Sequence, residues 1–108
     1  LQTVLSPWFR KLLGYDPRPT LRRVKCPVLA LNGGKDLQAA AQENLKAIAS
    51  ALKAGGNPHV ETVEFAGLNH LFQTCTTGAV AEYGQIEETF APAALEKVSG
   101  WILRQVRP

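Results

Sequence analysis

An aspartate and a histidine carry the most specific chemistry in this sequence. Asp36 follows an apolar, strand-like run, Val28-Leu29-Ala30-Leu31, through Asn32-Gly33-Gly34-Lys35. His70 follows a second strand-like run, Val60 to Phe65, through Ala66-Gly67-Leu68-Asn69. A carboxylate closing one strand and an imidazole closing the next can form an acid–histidine pair. The carboxylate orients the ring and stabilises its charged form, and the ring takes a proton from a nucleophile. The nucleophile of such a site is a serine on a Gly-x-Ser-x-Gly elbow, ahead of both residues in chain order. The serines of this chain are Ser6, Ser50 and Ser99, and none lies in that pattern. The sequence therefore holds the acid and the histidine of a Ser-His-Asp hydrolase without the serine.

Taken singly, each residue has a plainer account. Asp36 suits the N-cap of a following helix, where a short carboxylate accepts free backbone N–H groups. His70 suits a loop histidine satisfied by a backbone carbonyl. The pair, placed after consecutive strands, favours a site. Cys75 follows His70 closely and could replace the serine, but a reactive thiolate needs a lowered pKa and contact with its base. Nothing places Cys75 on an elbow. His59, beside Pro58, reads as a turn residue. His59 and His70 have no second close ligand at metal spacing, so no metal is expected.

The elements that must position the pair follow from periodicity. Ser6-Pro7 reads as a helix start, with Trp8, Phe9, Leu12 and Leu13 as its apolar stripe and Gly14 as its end. Asp16-Pro17-Arg18-Pro19 reads as a stiff connector that excludes regular helix, followed by a short helical turn over Thr20–Val24. Val28–Leu31, bounded by Pro27 and Asn32-Gly33, is the continuous apolar run of a strand covered on both faces. Ala39–Ala54 is rich in helix formers, with Ala41, Leu45, Ile48 and Leu52 on one face, and Gly55-Gly56-Asn57-Pro58 stops it. Val60–Phe65 mixes apolar and acidic residues and reads as an edge strand with one wet side. Strand, helix and strand make a parallel βαβ unit. Gln73–Glu88 is polar and glycine-containing and reads as a surface loop. A last helix from Pro92 has Leu95, Val98, Trp101, Ile102 and Gln105 as its expected apolar face.

Composition limits the partners. The chain has 108 residues, 45% hydrophobic and 19% charged, as expected for one globular unit. No run approaches the roughly 20 apolar residues of a membrane span, so no membrane partner is expected. The net charge of +3 is uneven: residues 1–25 hold six basic side chains against Asp16, a balance of +5. Without a stacking or base-reading motif, this is a solvated lead-in segment and no nucleic-acid partner is expected. Cys26 and Cys75 make no disulfide framework. The chain opens on Leu1 and is expected to lack its natural start.

At this point the residues resemble the α/β-hydrolase superfamily. The closest likeness is to the C-terminal part of dienelactone-hydrolase-like and acyl-peptidase-like serine hydrolases. Val24-Lys25-Cys26-Pro27-Val28-Leu29-Ala30-Leu31-Asn32-Gly33-Gly34-Lys35-Asp36 is similar to that family's penultimate strand and acid loop. Gly67-Leu68-Asn69-His70-Leu71-Phe72 is similar to its histidine loop, and Ser6-Pro7-Trp8-Phe9 and Tyr15-Asp16-Pro17 to the segment before that strand. The resemblance implies an α/β fold of class βαβα, two parallel strands with flanking helices in an incomplete sheet. Residues 1–108 would be a single partial domain, with a lead-in over 1–23 and the acid and histidine loops within 24–108. It also implies ester or peptide hydrolysis by the complete enzyme, without a cofactor, and catalytic roles for Asp36 and His70. The isolated chain is expected to be inactive, with two alternatives: a non-catalytic self-associating structural module, or one half of a two-chain hydrolase. Family members often place Val-Pro or a similar pair after the acid. Ala39-Ala40 stand here instead, which removes a helix stop and leaves open whether the acid loop is absorbed into the helix. The exposed edge of the Val28–Leu31 strand further predicts a homo-oligomer.

Overall fold

A computed structural model describes residues 14–107. The helix expected over Ser6–Leu13 lies outside the described residues. The elements run α1 (Arg18–Leu21), β1 (Val28–Gly33), α2 (Ala41–Ala54), β2 (Val60–Phe65), a 3-10 turn (Val80–Gln85) and α3 (Pro92–Val106). β1 and β2 form a two-stranded parallel sheet in the register Val28↔Val60 to Gly33↔Phe65. The fold is thus a small α/β unit with an open sheet.

Strand parity assigns the layers. The even-numbered face of β1 meets α2: Ala30 and Asn32 are buried, and the Asn32 side chain accepts a hydrogen bond from Asn44 of α2. The odd-numbered face of β2 meets α3, where Glu61 pairs with Lys97 and Arg104. Phe65 on the same face packs on the cluster of Leu68, Ala91 and Ala94. Helix α2 therefore packs on one face of the sheet, and α3 reaches the other at Glu61 and beside Phe65.

Helix α2 ends in a Schellman motif. The Gly56 N–H reaches the Lys53 carbonyl at 2.9 Å and the Asn57 N–H reaches that of Leu52 at 3.0 Å. Buried Asn57 then donates its amide to the Val24 and Cys26 carbonyls at 3.2 and 2.8 Å. The end of α2 thereby fixes the entry to β1. Pro27 sits just ahead of the strand, where its missing N–H breaks no ladder bond.

Five expectations are corrected. The proline connector holds helix α1, because Pro17 is its N-cap and Pro19 lies in its first turn, where N–H groups have no intrahelical partner. β1 continues through Asn32 and Gly33, and α2 starts at Ala41 rather than Ala39. Gln73–Glu88 is a hydrogen-bonded strap that includes the 3-10 turn, not a plain loop. Finally, α3 buries Ala94, while Leu95 and Ile102 are 52% and 48% exposed. Its inward face therefore centres on Ala94, and of the expected stripe only Val98 and Trp101 are partly covered.

The buried apolar set among the described residues is thin: Ala30, Ala41, Leu45, Ala51, Leu52, Leu68, Ala91 and Ala94. Leu52 is fully buried in it. Leu52→Ala should cost about 2–5 kcal/mol through lost burial and the cavity left behind. Ile102→Ala on the exposed side of α3 should stay within about 1 kcal/mol. Urea unfolding of both variants checks the assignment, and equal losses would show that α3 packs through its Leu95–Ile102 side.

Candidate active site

Both sequence-predicted residues lie just past the carboxyl ends of the parallel strands, where open α/β sheets gather their sites. The structure brings them together. His70 Nδ1 lies 2.9 Å from Asp36 Oδ2. The Asp36 side chain is only 5% exposed and that of His70 is 41% exposed. The carboxylate is thus covered and the ring faces solvent. With Nδ1 engaged, Nε2 is the nitrogen available to exchange a proton.

Asp36 does not cap α2. The N-cap is Ala40, in an extended conformation and without a side-chain cap, so the acid loop is not absorbed into the helix. The two carboxylate oxygens divide their work. Oδ1 accepts the backbone N–H groups of Gln38 at 2.8 Å and Ala39 at 2.9 Å, closing a tight turn. Oδ2 takes His70 and stands 3.5 Å from the Asn32 amide. Burial pushes the Asp36 carboxyl up. The His70 hydrogen bond, the Ala39 and Gln38 N–H groups and the histidine's charge outweigh it, and the net position is below the ordinary 3.8.

Asn32 is a residue that sequence reasoning missed. It is buried on the α2-facing side of β1, donates to the Gly33 and Ala39 carbonyls at 3.1 Å each, and accepts from Asn44 at 2.7 Å. It holds both sides of the acid loop and the first turns of α2. Its signal was its place at the end of an apolar run, on the same parity as buried Ala30.

Gly33 lets the two loops meet. A Cβ there would lie 2.3 Å from the Asn69 carbonyl oxygen and 2.4 Å from that of Leu68. With hydrogen in its place, the Lys35 N–H reaches the Leu68 carbonyl at 2.9 Å. Fully buried Asn69 then builds the histidine loop: its Oδ1 accepts the N–H of Leu71 at 2.9 Å and of Gln73 at 3.0 Å, and its amide donates to Gln73 Oε1 at 3.1 Å. Phe72 takes a left-handed φ of 59°, uncommon for a side chain of its size. That turn stacks its ring on Phe90 at 5.5 Å and sets it edge-on to Phe65 at 6.4 Å. The aromatic cluster anchors the loop that His70 rides on.

The other expected residues fall elsewhere. Cys75 donates its thiol to the Gly67 carbonyl at 3.6 Å, and no hydrogen bond joins it to His70. Ser50 and Ser99 lie exposed on α2 and α3. His59 is exposed beside Pro58, and its N–H donates to Asn57 Oδ1 at 2.9 Å. Among the described residues no three His, Cys, Asp or Glu side chains gather as metal ligands, and no helix is long and apolar enough to cross a membrane. An open depression of about 330 Å³ lies beside Asp36 on the α2 side, lined by Gly34, Ala40, Ala41, Gln42, Glu43 and Glu64. Comparisons with known proteins found no matching family model, no matching curated protein and no matching solved structure.

Two predictions follow from this geometry. Asp36 has its pKa depressed by folding, so it contributes stability above its unfolded value and loses it as pH falls through the folded value. Acid titration of the unfolding free energy should therefore decline below about pH 4–5. Asp36→Asn should flatten part of that decline, and an unchanged slope would place the acid sensitivity elsewhere. Gly33→Ala should push the two loops apart and destabilise by about 1–3 kcal/mol through overpacking. Thermal unfolding together with loss of the Asp36–His70 contact by NMR would show it.

Proposed function

We propose that Asp36 and His70 are the acid and the histidine of a Ser-His-Asp hydrolase site that cleaves esters or amides. We read the unit as the C-terminal βαβα portion of an α/β-hydrolase fold. The carrying observation is the 2.9 Å contact between His70 Nδ1 and the covered Asp36 carboxylate. A carboxylate in that position fixes the ring tautomer and stabilises the imidazolium. Nε2 can then take the proton of a serine hydroxyl as its oxygen attacks a carbonyl carbon, and return it to the leaving group. The lowered Asp36 pKa keeps the acid ionised at neutral pH. The reaction uses no cofactor.

We place the nucleophile and the oxyanion donors outside the described residues, N-terminal to them or in a second chain, because no described serine or cysteine bonds to His70. The isolated chain should hydrolyse p-nitrophenyl esters at the background rate and resist fluorophosphonate labelling, since losing even one oxyanion donor costs about 10²–10³ in kcat. A chain extended upstream to include a Gly-x-Ser-x-Gly elbow should turn such esters over. There Asp36→Asn should lower kcat by about 10⁴. Full activity of the extended chain after Asp36→Asn and His70→Ala would defeat the proposal.

We also infer that the isolated chain associates with a second copy of itself. Val28 and Gly34 turn their N–H groups to His59 and Phe65 of the β2 segment, so the alternation turns the backbone of Leu29 and Leu31 to the opposite edge. No described strand lies on that edge. Such an edge is a template for strand pairing, and two copies offer each other the same donors and acceptors. Sedimentation equilibrium should give a dimer or larger species. A monomer of 11.7 kDa at all concentrations would exclude it.

A further inference from the structure

We propose that Glu82 is a positioning residue for the Asp36–His70 pair, acting through the strap that joins the histidine loop to the acid loop. The inference rests on taking that pair as the functional unit. Glu82 touches neither member. Its carboxylate accepts the backbone N–H groups of Thr76 at 2.9 Å, Thr77 at 3.2 Å and Gly78 at 3.1 Å, and the Thr77 hydroxyl at 3.2 Å. These donors hold its pKa below the ordinary 4.5. An ionised acceptor gathering successive N–H groups curls residues 76–78 around itself, since charged acceptors make the stronger hydrogen bonds.

The curl presents the strap to the acid loop. The Cys75 and Thr76 carbonyls meet the Lys35 ammonium at 3.4 and 3.2 Å. Gly78, at φ +81°, lies so close to the Lys35 carbonyl that a Cβ would sit 1.9 Å from its oxygen. Next to Glu82, the Tyr83 hydroxyl accepts the Gln38 side-chain amide at 2.9 Å. Lys35 directly precedes Asp36, and the Gln38 N–H is one of the two backbone donors to Asp36 Oδ1. The strap therefore grips the acid loop on both sides of the carboxylate.

Its other end is built into the histidine loop. Thr74 bridges Leu68, the Cys75 N–H reaches the Gly67 carbonyl at 3.2 Å, and the Gln73 N–H reaches Asn69 Oδ1 at 3.0 Å. One segment thus holds both loops whose tips carry the pair. If Glu82 no longer orders residues 76–78, the grip on Lys35 and Gln38 loosens and Asp36 loses its fixed aim at Nδ1.

The ring nitrogen shifts of His70, read through its carbon-bound protons at a pH where the ring is neutral, report the tautomer without any assay of activity. The wild-type chain should show the Nδ1–H form. Glu82→Ala should lose that preference and speed amide exchange at Thr76, Thr77 and Gly78. Glu82→Gln, which keeps one acceptor oxygen, should retain part of it. Tyr83→Phe, which removes only the Gln38 bond, should weaken it without unfolding the chain. Glu61→Gln, at the remote α3 ion pair, should leave it intact. An unchanged His70 tautomer in both Glu82→Ala and Tyr83→Phe would overturn the proposal, as would equal loss in Glu61→Gln. Absence of the Nδ1–H form in the wild type would instead overturn the acid–histidine pair itself, and the proposal with it.

Discussion

The Asp36 side chain carries a charge at a junction of two loops where most of its surface is covered by protein. A charge removed from water is costly unless donors replace the water it loses. Asp36, whose side chain is 5% exposed, meets that demand with two backbone N–H groups and the His70 ring, with the Asn32 amide close by. These donors come from three different pieces of chain: the turn after the acid, the histidine loop and the strand before it. The carboxylate can be satisfied only when those pieces stand in one arrangement. The arrangement is therefore stabilised by the same charge that it holds in place.

The apolar core could not impose that arrangement alone. Five of its eight buried hydrophobic residues are alanines, which bury little surface and specify little shape. Position is set instead by buried asparagines. Asn57 fixes the entry to β1, Asn32 fixes its exit into the acid loop, and Asn69 builds the histidine loop. Each uses both its amide and its carbonyl oxygen, and no buried side-chain polar atom among the described residues lacks a partner. Satisfied networks of this kind select one geometry, because a shifted loop leaves a buried group unpaired.

Periodicity and breaker residues made the βαβ unit legible. β2 matches its expected limits at both ends, and the Gly55-Gly56-Asn57-Pro58 stop of α2 is a Schellman motif. The spacing of Asp36 and His70 after successive parallel strands was enough to foresee their contact. What escaped notice depends on partners distant in sequence. A polar stretch such as Gln73–Glu88 has no periodicity, and its order comes from carboxylates and from Lys35, some 40 residues away. The apolar stripe of α3 was visible, but which of its residues are covered is decided by Glu61 and Phe65 of β2, beyond the reach of any local pattern. The Pro17–Pro19 segment misled for a simpler reason: proline excludes helix interiors, not first turns.

The position of Gly33 connects these levels. It ends β1, so its backbone still belongs to the ladder with Phe65, yet its missing side chain is what admits the histidine loop. Any other residue at that point would separate the Leu68–Asn69 backbone from the acid loop by the width of a methyl group or more. The Lys35–Leu68 backbone bond, the Asp36–His70 contact and the strap's grip on Lys35 all lie within a few residues of this junction. A glycine that reads in the sequence as an ordinary turn former is thus the place where strand pairing, loop packing and the charge of Asp36 become one structural requirement.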